Sequence, residues 1–146
     1  MTAKDTSAAQ STVESLLSGA YIRSIAVRAM QPVLLFENAS DIQSELTIKG
    51  EVRDWRVSPS RALPDRLTDE QIEVLELRRL HELTVRRAEC LNDGGLTIEF
   101  GEGITLTING RPHDPQFLEP WALIELGGLE KRRIVALSGE GFAVWD

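Results

Sequence analysis

Apolar and polar positions alternate along most of this chain, and one segment breaks that rhythm with a helical period. Across residues 21–30, Ile25, Val27 and Ala29 alternate with Arg28 and its neighbours, which is the period of a strand with one wet face. Pro32 interrupts it, and Val33-Leu34-Leu35-Phe36 follows as a more buried strand. Residues 37–44 read as a polar loop before Leu46-Thr47-Ile48 resumes the sheet ahead of Gly50. Further on, residues 83–90 lead into Asn92-Asp93-Gly94-Gly95, residue types that tolerate the positive φ of a hairpin turn. Leu96, Ile98 and Phe100 then alternate with Thr97 and Glu99, and Gly101-Glu102-Gly103 turns the chain into a strand over 104–108. After a loop holding Pro112, Pro115 and Pro120, strands are expected at 121–126, 133–137 and 142–145, with Gly127-Gly128 as a turn.

The helical segment is signed at its start. Thr68 is followed three residues later by Gln71, the spacing of a capping box, and Leu67 and Ile72 hold the two staple positions. Asp69 and Glu70 suit the positive end of the helix dipole. Ile72, Val74, Leu75, Leu77 and Leu80 supply an apolar stripe, with Glu73, Glu76, Arg78 and Arg79 facing out, so a helix is predicted over about 69–80. Upstream, residues 1–11 are small and polar and read as a flexible arm. Val13, Leu16 and Leu17 allow one or two helical turns before Gly19. Two prolines make residues 58–65 a connector. The expected architecture is α+β: a single domain over 12–146, with an antiparallel twisted sheet of about eight strands and one principal helix.

A repeat stands out within this pattern. Phe36 and then Leu46-Thr47-Ile48-Lys49-Gly50 are matched by Phe100 and then Leu106-Thr107-Ile108-Asn109-Gly110. Each motif follows an apolar strand ending in Phe, and each of those follows an alternating strand, marked by Ile25/Val27 and Leu83/Val85. This predicts a duplicated three-strand meander bracketing the helix.

Composition narrows the function classes. A chain of 146 residues buries enough surface to fold without a disulfide or metal, and its single cysteine, Cys90, gives no disulfide framework. No apolar run approaches a membrane span and residues 1–11 lack the pattern of a signal peptide, so cytoplasm is the expected location. Of the net charge of −7, the C-terminal third carries nine acids against four bases. That field repels phosphate backbones and disfavours nucleic acid as a partner.

Candidate chemistry is sparse. His81 sits at the helix exit, where imidazolium suits the dipole. His113 lies in Arg111-Pro112-His113-Asp114-Pro115 without a Gly-x-Ser-x-Gly elbow elsewhere, so a hydrolase centred on it is the weakest reading. Cys90 falls on an alternating strand and reads as a buried, inert thiol. No spacing suggests zinc or another cofactor, and Ser138-Gly139-Glu140-Gly141 is a hairpin turn rather than a phosphate loop. Trp55, Trp121 and Trp145 either fill the core or line a ligand pocket, the latter near Trp121 and Trp145.

The layout resembles a group of small, mostly actinobacterial domains of unknown function. The residues that carry the likeness are Gly19 to Ile22, Asp93-Gly94-Gly95-Leu96-Thr97-Ile98-Glu99-Phe100 with Gly103 and Leu106, Glu119-Pro120-Trp121, and Gly141-Phe142-Ala143-Val144-Trp145. Pro120 departs from the small residue of that pattern. The resemblance implies an immunity-like role, in which a non-enzymatic protein masks a protein partner or pairs with a second copy of itself. Such a surface is expected to be acidic, with Asp93, Glu99, Glu102, Trp121 and Trp145 as its residues.

Overall fold

The computed structural model describes residues 6–127 and 131–145. It is α+β: ten strands among the described residues form two antiparallel sheets, with two helices beside them. Six strands make one sheet, in the order β1 (Tyr21–Arg28), β2 (Gln31–Glu37), β3 (Gln43–Ile48), β8 (Trp121–Leu126), β9 (Arg133–Leu137) and β10 (Gly141–Trp145). Four make the other, in the order β4 (Trp55–Ser58), β7 (Thr105–Ile108), β6 (Leu96–Phe100) and β5 (Val85–Cys90). The expected single sheet of about eight strands is therefore corrected to two. One apolar cluster joins them, drawing Leu34, Phe36, Leu46 and Trp121 from the first and Val57, Ile98, Phe100 and Leu106 from the second. Strand β4 escapes the sequence pattern because it is short. Trp55 and Val57 point inward and Arg56 outward, but Arg53 and Asp54 precede them and blur the alternation.

Helix α1 (Thr6–Leu17) begins inside the segment expected to be an arm. Ala9, Thr12, Val13, Leu16 and Leu17 are buried at helical spacing, and the helix packs on β5 and on β9 and β10. Small residues at 8 and 9 had hidden this stripe, since alanine contributes little to an apolar pattern yet permits close approach. Residues 1–5 of the expected arm and Gly128 of the expected turn lie outside the described residues. Helix α2 (Asp69–Leu77) continues as a 3-10 turn over Arg78–Leu80. Its capping box is formed: the Gln71 backbone N–H donates to Thr68 Oγ1 at 3.2 Å, and the Thr68 backbone N–H donates to Gln71 Oε1 at 2.9 Å.

The two meanders share their pairing order. β1-β2-β3 and β5-β6-β7 are consecutive antiparallel ribbons, with Ile22 opposite Phe36 and Val85 opposite Phe100. Each first strand carries a bulge at the same place, between Ile22 and Ser24 and between Val85 and Arg87. Leu46 lies opposite Leu34, as Leu106 lies opposite Ile98. The fourth strand of each half crosses to the other sheet, so that Trp121 pairs with Ile48 and Trp55 with Ile108. The two halves meet at a pseudo-two-fold point where Tyr21 bridges Thr84. There Ile22 N–H donates to Leu83 O at 3.1 Å and Val85 N–H to Ala20 O at 2.6 Å. The duplication read from Leu-Thr-Ile-x-Gly is thus a real feature of the fold. Its glycines have packing reasons: a Cβ on Gly50 would meet Asp54 Oδ2 at 2.8 Å, and one on Gly110 would meet Asp93 O at 2.6 Å.

Candidate functional site

Strand β1 ends the six-stranded sheet, and beyond the bridge at Tyr21 no described strand pairs with its outer side. Which backbone groups face outward follows from the hairpin. Ala29 and Met30 both have positive φ, of 51° and 66°, as a two-residue type I′ turn requires. Such a turn makes Arg28 and Gln31 the hydrogen-bonded closing pair, and bonded pairs then alternate along the ladder. Val27 opposite Pro32 and Ile25 opposite Leu34 are the non-bonded pairs. Pro32, which has no N–H, falls where the ladder with β1 uses none, and the pairing of β2 with β3 begins one residue later, at Val33. The N–H and C=O of Ile25 and Val27 therefore point away from the sheet.

They point toward α2, across an open trough. α2 packs on β4 and on the 3-10 turn at Val52–Asp54 rather than closely on β1. Two cavities of about 560 and 600 Å³ lie in the gap and share Val27 and Val74 in their walls, so they form one continuous trough. Its floor is apolar, with Ile25, Val27, Val74 and Leu77 at one end and Met30, Val52 and Phe117 at the other. Val27 and Val74 are 48% and 51% exposed, which corrects the expectation that Val74 belongs to a buried stripe.

The ends of the trough differ in charge. Arg23, Arg78 and His81 line one end. Glu51, Asp69, Glu70 and Glu73 line the other, with Lys49. Arg23 is paired with Glu37 at 3.1 Å and Lys49 with Glu119 at 3.0 Å. Among the described residues, Arg78, His81, Asp69, Glu70 and Glu73 form no ion pair. Glu73, expected to face solvent, is only 8% exposed. Burial raises its pKa above the ordinary carboxylate value, and the neighbouring Asp69 and Glu70 raise it further.

The residues singled out from sequence are dispersed. Trp121 is a core residue with no exposure, its Nε1–H donating to Gly94 O at 2.8 Å and its ring 5.8 Å from that of Phe142. It presents nothing to a partner, which corrects its assignment to the binding surface. Trp145 is 36% exposed, with the Arg133 guanidinium 4.0 Å over its ring. Phe142 and Val144 of the same strand are buried. Trp145→Ala is accordingly expected to cost about 1 kcal/mol, the scale of an exposed cation–π contact, in a urea melt. Glu99 and Glu102 are exposed, on β6 and in the turn after it, while Asp93 in the β5–β6 turn is half-buried and accepts the Gly95 N–H. Asp93 stands 3.9 Å from Arg111.

His113 does have a carboxylate partner, though not the adjacent Asp114. Its Nδ1 lies 2.6 Å from Asp54 Oδ1, which also accepts the His113 backbone N–H at 2.9 Å. Asp54 Oδ2 accepts the Glu51 N–H at 2.8 Å. A buried carboxylate orienting a half-exposed imidazole is the geometry of a general-base pair. No serine, threonine or cysteine side chain is found hydrogen-bonded to His113 among the described residues. The pair ties the loop after β7 to the turn before β4. Cys90 is buried, and burial pushes its thiol up to about 12, with Glu14 and Glu89 adding to the effect. Cys90→Ser should leave the fold intact at a cost of about 1 kcal/mol. The native thiol should resist iodoacetamide at pH 8, where little thiolate exists. No group of three His, Cys, Asp or Glu side chains is placed to hold a metal ion among the described residues. No helix among them is long and apolar enough to cross a membrane.

The sequence reading missed the trough because its parts are far apart in the chain. One signal was present: β1 carries Ile25 and Val27 beside Arg23 and Arg28, an apolar strand flanked by the charges that mark an edge. Comparison of the chain with protein-family models, with curated proteins and with solved structures gave no match.

Proposed function

We propose that this chain is a non-enzymatic binding protein of the immunity or accessory type, which masks a protein partner. The observation that carries the reading is the outward-facing backbone of Ile25 and Val27 along an apolar trough with charged ends. Exposed strand edges are otherwise blunted in folded proteins, because they template pairing with other chains. An edge kept open beside exposed valines is therefore a recognition surface. The exposed Glu99 and Glu102, with the half-buried Asp93, add to a negative field that favours encounter with a basic partner.

The test compares the wild-type chain with a Val27→Asp/Val74→Asp variant as immobilised baits. Both side chains are half exposed, so the substitutions should change stability by about 0.5 kcal/mol or less each. The partner retained by the wild type should be lost by the variant, and its own activity should be suppressed in the wild-type complex. A partner held equally by both baits, or active when bound, contradicts the reading. His113→Ala should bind as the wild type does; a hydrolytic activity lost in that variant would favour the His113–Asp54 pair as a catalytic site instead.

A further inference from the structure

The pseudo-symmetry supplies a template for what the open edge accepts. Counting from the bridge between Tyr21 and Thr84, Ile25 corresponds to Ala88, and Val27 to Cys90. In the second half that edge is occupied. The Gln10 carboxamide of α1 lies along it, with its Nε2–H donating to Ala88 O at 2.8 Å and its Oε1 accepting Cys90 N–H at 2.7 Å. One amide thus satisfies one C=O and one N–H in the manner of a neighbouring strand's peptide group. α1 lies directly on β5 to deliver it.

In the first half no described residue bonds to the same two backbone positions. The residue that corresponds to Gln10 by the same count is Glu73 of α2. A carboxylate cannot donate to Ile25 O, so it cannot repeat the contact of Gln10. α2 stands off instead, and the gap is the trough. Glu73 is largely buried in the trough wall, with its carboxylate opening on the trough and no hydrogen-bond or ion-pair partner among the described residues. Partial desolvation and the neighbouring Asp69 and Glu70 disfavour its charge, and a bound cationic or N–H donor would offset both.

We propose that an extended segment of the partner protein docks in the trough as an added strand antiparallel to β1. It bonds to the N–H and C=O of Ile25 and Val27, sets a lysine or arginine against Glu73, and sets an acidic group against Arg78 and His81. This rests on the preceding reading of the trough and specifies its partner. Antiparallel addition continues the pattern of every strand pair in both sheets. β1 runs from the basic end of the trough to its acidic end, so an antiparallel segment carries its basic residue first and its acidic residue last. Alternate side chains between them face the apolar floor. A second copy of this chain fits less well, because β1 bears Arg23 and Arg28 and no acid. An added strand of that composition would leave Arg78 and His81 without an acidic group.

The test pans the full chain against a displayed library of random linear dodecapeptides and measures the selected peptides on variants. The expected winners place a lysine or arginine ahead of alternating apolar residues and an aspartate or glutamate behind them. Val27→Pro removes the outward N–H of an edge position where proline is tolerated, and should weaken them at least tenfold. Val27→Ala keeps that N–H and should weaken them less. Glu73→Ala removes the charge without supplying a carboxamide that could close the edge as Gln10 does, and should weaken those with a basic first residue about fivefold or more and erase the library's preference for it. If Val27→Pro fails to fold, amide exchange in the wild type decides: peptide must slow exchange at Ile25 and Val27. No enrichment, or peptides indifferent to Val27→Pro with no protection at those amides, overturns strand addition. If a native partner is still lost in Val27→Asp/Val74→Asp while the library yields nothing, the trough stands as a site and the added strand does not. Elution as a dimer that Val27→Pro abolishes would assign the edge to a second copy and overturn the proposal.

Discussion

Trp121→Ala is expected to lower stability by about 3–5 kcal/mol, enough to leave much of a domain this size unfolded at 37 °C. The ring has no exposure and sits where the second half hands its fourth strand to the first sheet, opposite Ile48. Its removal opens a cavity and also orphans Gly94 O, the acceptor for Nε1–H. A comparison with Trp55 separates the two costs. Trp55 holds the equivalent place in the other sheet, opposite Ile108, but its buried Nε1–H finds no partner among the described residues. Phenylalanine at each position removes the indole N–H with a similar loss of volume. Trp121→Phe should therefore cost about 1–3 kcal/mol more than Trp55→Phe, the penalty for a hydrogen bond lost from a buried pair. Equal losses in paired urea melts would mean that the Gly94 bond carries no weight.

The second large effect concerns Asp54. Asp54→Ala should cost about 2–4 kcal/mol, because the Glu51 and His113 backbone N–H groups both donate to it and would be left without an acceptor. Asp54→Asn keeps an acceptor and isolates the charge. Burial works to raise the Asp54 pKa, but the bond to the His113 side chain and the two backbone donors outweigh it and hold the group below its ordinary value. A carboxylate lowered on folding binds fewer protons in the native state than in the unfolded one. Its contribution is complete above the unfolded value of about 3.9 and is lost as pH falls through the lower folded value. Stability of the wild type should thus fall on acidification below about pH 5, and less steeply in Asp54→Asn. Glu37 and Glu125 are lowered as well, by hydrogen bonds from Tyr21 and Arg132 first, so some of the acid limb should persist. An unchanged limb in Asp54→Asn would remove Asp54 from the account.

Local order was legible in the sequence wherever short-range chemistry fixes it. Thr68 and Gln71 announced the start of α2, the alternating runs located nine of the ten strands, and Leu-Thr-Ile-x-Gly revealed the duplicated meander. What failed were properties set by distant residues. The split into two sheets follows from β4 and β8 changing sides, and no local pattern in Trp55–Ser58 or Trp121–Leu126 encodes that exchange. Glu73 and Val74 were assigned to the wrong faces because helical period alone assumes that α2 lies flat on its sheet, whereas it stands off β1. Trp121 and Trp145 were grouped as one surface on residue type, and the fold puts one in the core and the other at the C-terminal end of β10.

The trough itself combines a strand, a helix and two loops that the chain separates by many residues. Its meaning emerges only beside its symmetry mate, where Gln10 closes the edge that Ile25 and Val27 leave open. A single difference between two equivalent positions, carboxamide against carboxylate, distinguishes a sealed edge from an exposed one.

Amide hydrogen exchange in the free chain, followed residue by residue by NMR, reads directly whether the β1 edge is open. The Cys90 N–H donates to Gln10, while the Val27 N–H at the equivalent position faces the open trough. Val27 should exchange faster than Cys90 by a factor of about 100 or more, with Ala26, hydrogen-bonded to β2, protected between them. Comparable protection at Val27 and Cys90 would mean that the β1 edge is already closed, and would contradict the assignment of the trough as a binding site.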